Sequence, residues 1–154
     1  MELKVAALDT LKRVRWNVVF GLLVVLVVVA FLLFGNPLKP TYMGEGDIKM
    51  RTWLEPETVS LTDESTAWAE LINRGEKRYN ITVFMSAKSK EITFTQTGAG
   101  NIEKSILIGP GESRSIPFAL SINAEYEGSY GIDVDASYGR EKITEEIYLV
   151  VEED

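Results

Sequence analysis

The 154-residue sequence contains neither cysteine nor histidine. Without thiols there is no disulfide, thiolate metal site, haem attachment, cysteine nucleophile or lipidated-cysteine anchor. Without imidazole, the ordinary zinc and blue-copper ligand sets, the Ser-His-Asp triad and every histidine-based acid–base mechanism are also excluded. No cofactor, no metal and no catalytic residue is expected, and the folded part must be held by packing and strand pairing alone. The chemistry left open is that of carboxylates, so a carboxylate-dependent hydrolase stands as the enzymatic alternative; it needs two acids flanking a substrate.

What is present is unevenly distributed. Residues 1–38 carry four bases (Lys4, Lys12, Arg13, Arg15) and two acids (Glu2, Asp9), whereas residues 39–154 carry 12 bases and 21 acids, a net charge of −9. A part this acidic repels nucleic acid, which is not expected as a partner.

From Trp16 to Leu38 no residue is charged, and in Val18–Phe34 only Gly21 and Ala30 depart from valine, leucine and phenylalanine. About 20 helical residues at ~1.5 Å rise cross a ~30 Å hydrocarbon core, so the run predicts a transmembrane helix whose partner is the lipid bilayer. A cleavable signal peptide is the competing reading, but such a core runs only about 7–15 residues and here no small-x-small site follows. Lys12, Arg13 and Arg15 immediately precede the run, so the positive-inside rule puts the N-terminus in the cytoplasm and the C-terminal part outside. The expected organisation is a short cytoplasmic N-terminus (1–15), a signal-anchor helix (16–38), a linker rich in glycine and proline (39–47) and an extracytoplasmic domain (48–154), giving a single-pass protein of the cell membrane.

Beyond Ile48 the period changes from helical to alternating. Short runs separated by Gly, Pro, Asn or charged pairs predict strands at about 48–54, 65–73, 79–87, 91–97, 102–108, 114–122, 128–137 and 142–151. Ile81, Val83 and Met85 share one face, as do Ile116, Phe118 and Leu120, and in the last strand Ile143, Ile147, Leu149 and Val151. Glu145 interrupts that last face and marks either a bulge or a sheet edge guarded by charge. Asn73-Arg74-Gly75 suggests a turn with a positive φ, Gly109-Pro110-Gly111 breaks the chain, and Tyr138-Gly139-Arg140 separates a final hairpin. The predicted class is all-β: an antiparallel sandwich of seven to eight strands.

Gly128-Ser129-Tyr130-Gly131-Ile132 resembles the start of strand F in immunoglobulin-type domains, with Tyr130 at the tyrosine-corner position and Ile132 where those domains carry cysteine. The wider run, from Leu54-Glu55-Pro56 through AELINRGEKRYNITVFM and LIGPGESRSIPFAL to EGSYGIDVDAS, is similar to CARDB-type and other fibronectin-III-like modules of prokaryotic, especially archaeal, surface proteins. The plan of anchor plus sandwich also resembles archaellum stator subunits, although the charged first 15 residues depart from their apolar N-terminus. These resemblances imply binding or scaffolding rather than catalysis, with an envelope protein or glycan as partner.

Three sets of side chains stand out. Asn80-Ile81-Thr82 is an N-x-S/T sequon, making Asn80 a candidate glycosylation acceptor. Asp133 and Asp135, two apart on one strand, project from one face as a candidate cation site, set against the simpler reading of a solvated strand. Trp53, Trp68 and Phe84 are out of phase with the apolar faces, which marks them as a candidate binding surface unless the register is shifted by one residue.

Overall fold

The computed structural model describes residues 18–26 and 41–153 of the chain. Residues 18–26 are helical, and their large apolar side chains from Val18 to Leu26 are exposed. Among the described residues no helix is long and apolar enough to cross a membrane. The segment 1–15 and the rest of the predicted span 16–38 lie outside the described residues.

Residues 41–153 fold into nine strands: β1 (Ile48–Glu55), β2 (Thr58–Ser60), β3 (Glu64–Asn73), β4 (Tyr79–Ala87), β5 (Ile92–Phe94), β6 (Asn101–Ile108), β7 (Ser113–Ile122), β8 (Gly128–Tyr138) and β9 (Glu141–Glu152). They form a four-stranded sheet in the order β1-β3-β7-β5 and a five-stranded sheet in the order β2-β9-β8-β4-β6. The period-2 pattern accounts for the arrangement. Along β3, for example, Ser65, Ala67, Ala69, Leu71 and Asn73 are buried while Thr66, Trp68, Glu70 and Ile72 between them are not. The core between the sheets contains Phe94 and Phe118, which meet edge to face with centroids 6.5 Å apart, along with Ile81, Met85, Ile132 and Leu149.

The expected inward faces of β4, β7 and β9 are observed. The strand count is not seven to eight but nine, because three-residue β2 follows the turn at Pro56 and pairs in parallel with β9 from Val150 to Glu152. A run so short carries no alternation to read. The strand expected at 91–97 is trimmed to β5, since Thr97 and Gly98 turn back onto the carbonyl of Phe94.

The turn after β3 corrects its predicted chemistry. Gly75 is not among the residues of positive φ, and no residue other than glycine has one among the described residues. Gly75 is required by proximity: a Cβ there would lie 2.3 Å from Asp47 Oδ2. Asn73 works through its side chain, with Nδ2 donating to the carbonyls of Lys77 and Gly109 and Oδ1 accepting from the Gly75 amide. One buried amide thus ties the β3–β4 and β6–β7 turns together. In the β8–β9 hairpin the only positive φ of the central pair is that of Gly139, at 59°, as a type II′ turn needs.

Residues 41–47, assigned to a linker by composition, are held against β1. Met43 and Met50 exchange both backbone hydrogen bonds, at 2.7 and 2.9 Å. Tyr130 makes the tyrosine corner that its motif suggested, its hydroxyl donating to the carbonyl of Tyr126 at 2.7 Å.

Candidate binding surface

The outward side chains of the four-stranded sheet carry the densest aromatic cluster. Trp53 on β1 and Trp68 on β3 are register partners, and odd positions of β1 and even positions of β3 face away from the core, so the two indoles meet on the outside. They stack with centroids 5.8 Å apart and planes 7° apart. The Arg51 guanidinium lies 4.5 Å from the Trp53 ring centroid and 5.7 Å from that of Tyr42, within the range of cation–π attraction.

Glu70, the register partner of Arg51, holds the group in place. Its carboxylate pairs with Arg51 Nη2 at 3.0 Å, accepts from the Tyr42 hydroxyl at 2.8 Å and accepts from Ser113 Oγ at 3.2 Å. Burial, and then the bond to Glu70, raise the Tyr42 phenol above its ordinary pKa. Trp68 Nε1 and Arg51 Nε are buried donors without a hydrogen-bond partner among the described residues. Rigid indoles with an arginine clamped beside them are the composition found at binding hot spots, because little side-chain entropy remains to be lost on contact.

Phe84 does not join this cluster. It is half-buried on β4, on the outer face of the other sheet, between its register partners Glu103 and Asp135. Trp53, Trp68 and Phe84 all face outward, as their phase indicated, but only the two tryptophans come together. Tyr42, Arg51 and Glu70 were not singled out from sequence; the signal that finds them is cross-strand register, which one strand read alone does not contain.

Asp133 and Asp135 share the outer face of β8, and each is met by a lysine. Asp133 lies 3.2 Å from Lys88 Nζ, while Asp135 lies 2.9 Å from Lys142 Nζ and accepts from Thr144 Oγ1. Lys88 also contacts Glu146 at 2.6 Å. That hydrogen bond raises the Lys88 pKa and lowers that of Glu146. Gly131 leaves the room for it: a Cβ there would stand 2.8 Å from Glu146 Oε1 and 3.1 Å from Lys88 Cδ. Among the described residues no three carboxylates are grouped to hold a metal ion. Asn80 is exposed at the start of β4, accessible to modification.

No protein-family model matches the chain, and no curated protein matches it in sequence. Solved structures do match in shape. A FixG-related protein from Vibrio parahaemolyticus superimposes with a TM-score of 0.53 at 13% identity, over 70% of this chain and 99% of that one. A structure of native alpha-2-macroglobulin from Escherichia coli gives 0.54 at 14% identity, over 71% of this chain and 17% of that one. A chain from the complex of Zinc 2-glycoprotein with Prolactin inducible protein of human seminal plasma gives 0.52 at 13% identity, over 67% and 93%. At such identities the likeness concerns architecture alone: residues 41–153 form an immunoglobulin-like β-sandwich.

Proposed function

We propose that the protein is a membrane-tethered, non-enzymatic binding or scaffolding module, displayed at the cell surface and using the outer face of the four-stranded sheet to contact an envelope protein or glycan. The observation that carries this reading is the stacked Trp53–Trp68 pair, held outside the core with Arg51 beside it. The two rings are half-buried on the sheet's outer face, and contact with a partner removes the apolar area that remains in water. The tether rests on the uninterrupted apolar run Val18–Phe34 and on the exposure of its helical residues Val18–Leu26, a surface that lipid satisfies and water does not.

The test is affinity capture of tagged full-length protein from gently solubilised native membranes, with parent and Trp53→Ala/Trp68→Ala forms compared. A partner recovered near stoichiometry with the parent and lost with the double variant supports the reading. Retention of the partner by a folded double variant refutes the aromatic face as the contact.

The exposed apolar helix also favours a second reading, a subunit of a larger membrane or envelope assembly, of which archaellum-stator subunits are an example. In that case the captured assembly survives the double tryptophan change and is lost when the run 16–38 is exchanged for an unrelated apolar helix.

A further inference from the structure

The five-stranded sheet has an edge that its own strands leave open. β2 covers β9 only from Val150 to Glu152, and on its other side β9 pairs with β8 along its length. The Val150 amide donates outward to the carbonyl of Glu57. Main-chain groups of an antiparallel strand point alternately to either side, so those of Thr144, Glu146 and Tyr148 point to the same open side. No strand among the described residues meets them there.

Beside this edge runs the seam where β1 of one sheet faces β9 of the other. A groove of about 360 Å³ lies in it, lined by Thr52, Trp53, Leu54 and Glu57 on one side and Glu146, Ile147 and Tyr148 on the other. In the middle of the seam is Glu145, which points inward between Ile143 and Ile147. The β8–β9 register runs unbroken from Gly128 to Tyr138, so Glu145 sits on a regular edge and not in a bulge. Thr52 Oγ1 donates to its carboxylate. Neither Glu145 nor Glu57 has a cationic partner among the described ion pairs, whereas Lys88 and Lys142 are engaged by Glu146, Asp133 and Asp135.

We propose that the open edge of β9 between Thr144 and Tyr148 is a second docking site, which accepts an extended segment of a partner protein that turns a lysine or arginine inward onto Glu145. Strand addition supplies main-chain hydrogen bonds for affinity, and pockets beneath alternate side chains supply selectivity. Here the inward face of the edge is acidic at Glu145 and apolar two residues either way, at Ile143 and Ile147. An incoming strand with an inward apolar residue opposite Glu145 leaves a half-buried carboxylate facing hydrocarbon, and one with an inward acid adds like-charge repulsion. A basic residue flanked two positions either way by apolar residues satisfies the seam. The same carboxylate therefore rejects indiscriminate edge pairing and selects one class of strand. This site borders the tryptophan face at Trp53, but the open main-chain edge and the carboxylate that define it belong to β9.

The test uses full-length protein in detergent micelles and two fluorescein-labelled peptides, Thr-Val-Thr-Lys-Thr-Val-Thr and the same sequence with Glu in place of Lys. The expected result is saturable binding of the lysine peptide by fluorescence anisotropy, about tenfold tighter than the glutamate peptide, the size of one charge-assisted contact. Glu145→Gln keeps the acceptor for Thr52 and is expected to bring the two peptides within about twofold of each other. Bound lysine peptide is also expected to slow amide exchange at Thr144, Glu146 and Tyr148, a readout that needs no variant. Equal affinity for the two peptides on the parent protein, a preference that survives Glu145→Gln, or no saturable binding overturns the proposal. A peptide-free self-association that Glu145→Gln abolishes also overturns it, in favour of a second copy as occupant.

Discussion

Asn73 shows how much one side chain can carry. Its amide is buried and bonds main-chain groups of two separate turns, so truncation leaves the buried carbonyls of Ile108 and Gly109, the Lys77 carbonyl and the Gly75 amide without this partner at once. Asn73→Ala is expected to lower unfolding free energy by about 3 kcal/mol, measured by urea titration. Tyr138 gives a pH signature. Burial, with a hydrogen bond to Glu141, pushes its phenol up to about 12 from the ordinary 10.0. A group raised in the folded state contributes stability that is complete below its unfolded value and disappears as pH climbs through its folded value. Stability is thus expected to fall between about pH 10 and 12, and Tyr138→Phe is expected to flatten that fall, read as the change in urea midpoint between about pH 9 and 11. At this scale the sequence was legible where the chemistry is local. The tyrosine corner joins residues four apart, so one pentapeptide announces it, whereas Glu70 gathers Arg51, Tyr42 and Ser113 from three distant stretches and no one stretch hints at the meeting.

At the scale of strands, β6 closes the five-stranded sheet on the side opposite β9, and it too turns a charge inward. Lys104 faces the core from β6, lies 4.5 Å from the Phe118 ring centroid and donates to the carbonyl of Pro117; burial lowers its pKa. A second eight-residue β6 edge cannot be laid alongside without disturbing that ammonium. Lys104→Leu is expected to leave the fold in place and to raise concentration-dependent self-association, measured by sedimentation in micelles against the parent. Strand faces were readable because alternation over eight to ten residues is a strong signal, as β3 and β7 show. β2 was unreadable because its three residues are placed by β9, not by a pattern of their own. Glu145 was recognisable as an anomaly in its face, yet only the unbroken register with β8 distinguishes a charged edge from a bulge.

Taken whole, the chain joins an apolar run to an acidic sandwich, and composition alone separates the two. A lysine in the middle of the run opposes insertion by about 2.5–3.5 kcal/mol, so Val25→Lys is expected to reduce the membrane-inserted fraction, measured by resistance to alkaline carbonate extraction. The sandwich was legible as a class because many short strands have few ways to bury one face each; the tryptophan cluster and the β9 seam were not, because they exist only once strands from distant stretches lie side by side. The fold-back of residues 41–47 has a mechanical meaning for a tethered domain. Tension reaching Thr41 loads the Tyr42–Glu70 hydrogen bond and then the two Met43–Met50 hydrogen bonds before it loads β1, which is held to β3 from Ile48 to Glu55. Peeling that short arm as far as Asp47, whose carbonyl accepts from the Arg74 amide, frees about six residues, on the order of 20 Å of extra chain. Under the proposed tether the arm is a small reel of slack, able to lengthen under load and rewind when the load is released while the two sheets stay shut.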